Sequence, residues 1–448
     1  MTTSKPTAKP TAKPASKPAS KPASKTAAIP DPTQTLTPNL RLDGERLWSA
    51  LMTMAEIGPG VAGGNNRQTA TDADGEARRL LQRWGEAAGL SQSVDRVGNM
   101  FLRREGAEPG LPPVYVGSHL DTQPTGGRYD GVLGVLAALE IIRTLDDLEL
   151  RTRHPIVLVN WTNEEGGRFA PAMMGSGVFA GVHDLDWAYD QRDLDGLRFG
   201  DELARIGWRG EEPVGGRPIA AYFELHIEQG PILEAEGAPI GVVTHGQGVS
   251  WTEVTLTGSA SHAGTTPMHL RQDAGLGLAR AIELANRIAR PRAPRAVGTV
   301  GRAALAPNSP NVIPEQAVFT VDLRSPDEAI LSEMEAELRA GLERIAADLD
   351  LALALRPLER IAPVAFDPAC IEAVRSAAKR LGYAARDLVS GAGHDAFWLA
   401  RVAPSAMVMC PCVDGLSHNE AEAITPEWAR AGAEVLMHAV LETAEIVA

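Results

Sequence analysis

From about residue 36 onward the chain alternates short apolar blocks with amphipathic stretches. Over 71–90, Leu80, Leu81 and Trp84 fall at helical spacing, which predicts a helix. Apolar extended runs at 99–103 and 114–116 predict strands, as do 156–160 and 222–227, with a helical stretch at 132–145 between them. Strands alternating with helices predict an α/β sheet whose loops gather at the strand ends.

Between about 240 and 358 the rhythm changes. The pattern reads strand (250–257), helix (273–289), strand (296–303), strand (316–324), helix (328–348), strand (352–357). That β-α-β-β-α-β order predicts a compact ferredoxin-like α+β unit with both helices on one face of its sheet. An apolar strand at 406–410 and a helix at 426–445 then complete the first pattern. The expected fold class is α/β: a main mixed-sheet domain formed by 36–239 and 359–448, interrupted by a smaller inserted domain over 240–358. Ahead of both, residues 4–25 repeat Lys-Pro-(Thr/Ala)-(Ala/Ser) with a period of four. Such a segment buries nothing and meets a proline at every turn, so 1–35 is expected to be a disordered leader.

Composition narrows the functions. The net charge is −14, and six of the 43 basic residues (Lys5, Lys9, Lys13, Lys17, Lys21 and Lys25) precede the first acid, Asp31, leaving 37 against 57 in the remainder. Nucleic acid is therefore not an expected partner. Outside the leader the only lysine is Lys379 and no phosphate-loop motif occurs, which disfavours nucleotide and Schiff-base chemistry. Three cysteines (Cys370, Cys410, Cys412) make neither a disulfide framework nor a four-cysteine zinc site. No apolar run approaches the ~18 residues of a membrane span, and no secretory block opens the chain, so a cytoplasmic protein without a membrane partner is expected.

The densest chemistry lies in Gly117-Ser-His-Leu-Asp-Thr-Gln-Pro-Thr-Gly-Gly-Arg-Tyr-Asp-Gly131. In an extended segment His119 and Asp121 face the same way, so the carboxylate can fix the imidazole tautomer, as around metal-binding histidines. Asp130, after a Gly-Gly turn, is a carboxylate able to bridge two cations. Asn163-Glu-Glu-Gly-Gly-Arg-Phe169 follows another strand. Its adjacent carboxylates cannot serve one spot, so Glu165 is assigned to a metal and Glu164 to proton transfer. Glu224-Leu-His-Ile-Glu-Gln-Gly230 contributes His226 with Gln229 behind it, and Gly415-Leu-Ser-His-Asn-Glu420 contributes His418. Two histidines and a shared aspartate suit one ion, and one histidine, a glutamate and the same aspartate another. Imidazole with carboxylate suits zinc, and also manganese, cobalt or nickel. In the inserted segment His262 lies among small residues, free to reach a developing oxyanion, while Asn311 and Arg324 offer an amide and a guanidinium, the latter a bidentate partner for a carboxylate. Each residue alone also has an ordinary reading: a core histidine, a turn aspartate, a solvated Glu-Glu face, a loop histidine, a turn asparagine, an arginine paired with a local acid.

Taken together, GSHLDTQPTGGRYDG, NEEGGRF, ELHIEQGP, SHAGTTPM, PNSPNVIP and GLSHNEAE resemble, in order, the metal-dependent amidohydrolases that split N-carbamoyl and ureido acids, a branch of the dimetal aminoacylase and carboxypeptidase superfamily (M20-like). The branch includes N-carbamoyl-L-amino acid hydrolase, β-ureidopropionase and allantoate amidohydrolase. The resemblance runs from roughly residue 45 to the C-terminus. It implies that His119, Asp130 and His226 hold one divalent ion, zinc first, and that Asp130, Glu165 and His418 hold the other. It further implies that Glu164 is the general base, that His262 stabilises the tetrahedral intermediate, that Gln229, Asn311 and Arg324 grip the substrate carboxylate, and that His394 lies on the substrate side. Family members form homodimers through the inserted domain, which closes over the site. Gln123-Pro-Thr-Gly-Gly127 is closer to the β-ureidopropionase side, and Gly177 stands where some carbamoylases have arginine. The expected reaction is hydrolysis of N-carbamoyl-β-alanine or an N-carbamoyl-L-amino acid to the amino acid, carbon dioxide and ammonia. The alternatives are an allantoate or ureidoglycolate amidohydrolase, a dipeptidase or N-acyl amino acid deacylase, and a catalytically silent dimer that binds an amino acid or a metal.

Overall fold

The computed structural model describes residues 1–3 and 36–447, so the repeat at 4–25 lies outside the described residues. The main sheet has nine strands. Four of them, Ile156–Trp161, Val114–His119, Ala221–Ile227 and Ser405–Cys410, are neighbours in that order and run parallel. All four are buried along their whole length, which is why their sequences read as unbroken apolar runs rather than alternating ones. Parallel neighbours put all four carboxyl ends on one edge, and every metal-binding candidate of the sequence lies at or just beyond one of these ends.

Antiparallel strands flank this centre: Met100–Arg104 and Ser91–Val94 on one side, Ile240–Gly246 on the other, the last carrying Ala385–Ser390 and Val364–Ala365. Helix Val132–Asp147 is buried almost all round, packed on Val114–His119 and against helix Pro426–Ala444. The helix expected over 71–90 spans Asp72–Ala87, started by the Thr71 side chain accepting from the Asp74 amide.

Strands Gly248–Thr257, Val297–Ala306, Gln316–Ser325 and Ala352–Ile361 form a separate antiparallel sheet, with helices Ala274–Ala289 and Glu328–Asp348 packed on it. Burial alternates along Gln316–Ser325, one face covered and the other half-open, and the unit has its own apolar core. One boundary differs from the sequence reading. Ile240–Gly246 belongs to the main sheet, paired with Ser405–Cys410, so the chain leaves that sheet at Gly248 and returns after Ile361. Buried Ile240, Val242 and Val243 fill the main core, a role their apolar run does not distinguish from a place in the smaller sheet. Among the described residues no helix is long and apolar enough to cross a membrane.

Candidate dimetal site

His119 ends its strand fully buried, and Asp130 follows after the Gly126-Gly127 turn. Gly131, at φ +68°, permits the approach: a Cβ there would lie 2.3 Å from the His119 ring. Asn163 (φ +58°), Gln229 (φ +57°) and His418 (φ +53°) also adopt the left-handed region. Backbone of this kind costs on the order of 1 kcal/mol per residue, and here it bends the segments leaving the strands back over the sheet edge.

These turns assemble two groups of donors. His119, Asp130 and His226 present one ligand atom each, as do Asp130, Glu165 and His418, with the atoms of each group within 4.8 Å of one another. Asp130 belongs to both. Its Oδ1 lies 3.0 Å from His226 Nε2 and 3.6 Å from His119 Nε2; its Oδ2 lies 3.5 Å from His418 Nε2, which is 3.1 Å from Glu165 Oε2. Both His119 Nε2 and His226 Nε2 are buried without an aligned hydrogen-bond partner, although carboxylate oxygens stand close by. Lone pairs facing carboxylates without hydrogen-bond alignment are what a cation between them resolves, so the residues fit a pair of divalent ions sharing Asp130.

The opposite ring nitrogens are fixed. His226 Nδ1 pairs with the Ile227 carbonyl at 2.9 Å, and His119 Nδ1 with the Asp121 carbonyl at 2.9 Å. The hydrogen bond of His119 thus goes to the main chain of Asp121, whose carboxylate Oδ1 stands 3.9 Å from the same nitrogen. The buried Asp121 carboxylate instead accepts from Thr69 Oγ1 at 2.8 Å and from the Glu164 and Glu165 amides at 3.3 Å each. It holds the turn that carries both glutamates.

Electrostatics follow from this crowding. Burial works against ionised Asp130, but the His226, His119 and His418 imidazoles hold its carboxyl well below the usual range. His226 resists burial through Asp130 and is raised to about 9, and the hydrogen bond to Glu165 raises His418 to about 9 as well. Glu164 Oε2 lies 3.4 Å from His119 Nε2. Burial, then Asp395 and Glu165, push the Glu164 carboxyl well above its ordinary value, and two cations would oppose that push.

A cavity of about 720 Å³ opens onto the cluster. Gln229, Arg324 and His394 line it with Asp130, Glu164, Glu165, His226 and His418. Gln229 Nε2 donates to Asp130 Oδ2 at 2.9 Å. Arg324 pairs with Asp322 at 2.9 Å and donates to the Gly391 carbonyl at 2.7 Å. Buried His394 bonds Ser390 Oγ at 2.9 Å, and burial followed by the charge of His226 keeps it neutral. His262 and Asn311 are not brought to this cavity. Both are exposed on a two-stranded bridge that pairs Ser261–His262 with Val312–Ile313, and His262 Nδ1 accepts from the Gly264 amide.

Several supporting residues escaped the sequence reading. Ser417 Oγ donates to Asp130 Oδ2, and buried Glu422 accepts from the Tyr129 and Asp130 amides. Gly127 leaves room for that carboxylate, since a Cβ there would overlap it at 1.9 Å. The adjacency of Ser417 to His418 and the acid two positions beyond Glu420 were the available signals. Gln123, inside the first motif, bonds Glu165.

The family model for peptidase family M20/M25/M40 matches residues 115–442. An N-carbamoyl-L-amino-acid amidohydrolase of Rhizobium meliloti is 61% identical over 409 residues, covering 91% of this chain and 98% of the relative. One of Geobacillus stearothermophilus is 38% identical, covering 90% and 99%. The crystal structure of an amidase of the hydantoinase/carbamoylase family from Burkholderia multivorans superposes with a TM-score of 0.88 at 56% identity, over 90% of this chain and 98% of that one. On the sheet edge, the shared aspartate and these matches, the chain belongs to peptidase family M20/M25/M40.

Proposed function

We propose that the protein hydrolyses the ureido C–N bond of N-carbamoyl-L-amino acids. The observation that carries the chemistry is Asp130 shared between two donor groups with Glu164 beside one of them. The choice of bond rests on the amidohydrolase relatives, which match nearly end to end. His119, Asp130 and His226 would hold one ion and Asp130, Glu165 and His418 the other, zinc first and manganese, cobalt or nickel as alternatives by donor type. When bound, the ions polarise a carbonyl and make water more acidic.

The chain's own residues supply the rest. Glu164, poised at the cavity wall, takes the proton of the attacking water and returns it to the amino nitrogen as the C–N bond breaks. The carbamate left behind falls apart to carbon dioxide and ammonia. Arg324, a cation on the same wall, offers the substrate carboxylate a bidentate partner once released from Asp322. Gln229 anchors Asp130, and neutral His394 faces the substrate. His262 and Asn311 act on the reaction only if movement of the smaller unit, or a second copy pairing through it in a homodimer, brings them to the cavity.

The test is to incubate the metal-loaded protein with N-carbamoyl-L-methionine, N-carbamoyl-β-alanine and a dipeptide, measuring ammonia and free amine. Ammonia with equimolar amino acid from the carbamoyl-L-amino acid is expected. Amine release from the dipeptide alone would overturn the proposal.

A further inference from the structure

Three of the five donors are anchored through atoms that do not face the ions or by neighbouring side chains. His119 and His226 are held through Nδ1 by main-chain carbonyls, and Asp130 by Gln229 and Ser417. Glu165 has the hardest task. Its neighbour Glu164 is a like charge, its own side chain is flexible, and its Oε2 must meet His418, whose side chain is 51% exposed.

Gln123 is placed to solve this. Its main-chain amide donates to Glu165 Oε1 at 3.2 Å, and its side-chain amide donates to Glu165 Oε2 at 2.8 Å and to the Glu165 carbonyl at 3.0 Å. One residue thus reaches both carboxylate oxygens and the backbone that carries them, so the carboxylate plane is registered against its own main chain. The amide oxygen of Gln123 faces Gly167, where a Cβ would stand 3.1 Å away, and the bare glycine gives the amide its room.

We propose that Gln123 is a positioning residue that aims Glu165 at the Asp130–Glu165–His418 site and so sets that site's affinity for its divalent ion, with no part in the His119–Asp130–His226 site. Loss of a residue that orients a metal ligand typically costs about 10- to 100-fold in metal affinity. The inference rests on the dimetal reading given above.

The test is calorimetric titration of the chelator-stripped full-length protein with Zn²⁺, comparing wild type with Gln123→Leu and Gln123→Ala. Leucine keeps the bulk without the donors, alanine removes both, and each retains the main-chain amide. Melting of the metal-free proteins is the control for folding. Expected are two binding events in wild type, with one event unchanged in both variants and the other weaker by about 10- to 100-fold, at unaltered metal-free melting temperature. Two events at wild-type affinity in the variants, or equal weakening of both, overturn the role of Gln123 while leaving the dimetal reading intact. A single binding event in wild type overturns both.

Discussion

Replacing Asp121 by asparagine separates two roles that its position allows. The carboxylate receives the Glu164 amide on one oxygen, and the Glu165 amide and Thr69 hydroxyl on the other. Asparagine has the same shape with one oxygen converted to NH₂. Thr69 can reverse its hydroxyl and accept, but the two main-chain N–H groups cannot. Either orientation of the new amide therefore leaves Glu164 or Glu165 facing a donor in a buried setting. An orphaned buried donor costs about 1–3 kcal/mol, so kcat for N-carbamoyl-L-methionine is expected to fall roughly 10- to 100-fold as the glutamate turn shifts. Because His119 is oriented by the Asp121 carbonyl, which the substitution keeps, metal affinity at the His119–Asp130–His226 site is expected to stay at the wild-type level. Steady-state ammonia release and metal titration of the same preparation check both halves. A kcat within twofold of wild type, or loss of affinity confined to that site, would mean that the Asp121 carboxylate does not hold the glutamate turn.

Further expectations rest on the same geometry. Glu164→Gln is expected to lower kcat by at least about 10²-fold while KM and metal content barely move, and unchanged turnover would remove Glu164 as the base. In the metal-free protein His226 and His418 stand at about 9 against an ordinary 6.5, so the stability they contribute is complete below pH 6.5 and is lost as pH rises through 9. Glu422, pushed by burial to about 8 from 4.5, loses stability in the same direction between those values. The metal-free melting temperature should therefore fall from pH 6.5 to 9, and a flat or rising profile would contradict these environments. The side chain of His418 is half exposed whereas those of His119, Asp130 and His226 are buried. A chelator time course followed by metal analysis should accordingly show two phases, the faster leaving Glu165 and His418 behind; one uniform rate would argue against unequal sites.

The residues of the site announced themselves because the chemistry sits where apolar runs stop. His119, Glu165, His226 and His418 each follow or end a stretch that only a buried strand explains. What the sequence did not disclose was adjacency: that Ile156–Trp161, Val114–His119, Ala221–Ile227 and Ser405–Cys410 lie side by side and parallel is decided by packing between segments up to hundreds of residues apart. The same limit hid the true partners of the Asp121 carboxylate, because period-two alternation predicts which way a side chain points and not which amides a later turn delivers to it. Ile240–Gly246 fell inside the inserted span of 240–358 because a buried apolar segment looks alike whichever core it fills. His262 and Asn311 were correctly seen as neighbours of one unit, but their distance from Asp130 is a matter of how two separately cored units are set, which local pattern does not encode.

Asp130 is the one carboxylate that both donor groups share, so metal analysis of Asp130→Asn against wild type shows whether it serves two cations. Chelator-stripped protein, reloaded with an excess of Zn²⁺ and then freed of unbound metal, is expected to retain two ions per chain in wild type and to lose wild-type affinity for both in the variant. Two ions bound with undiminished affinity by the variant, or a single ion in wild type, would contradict the account.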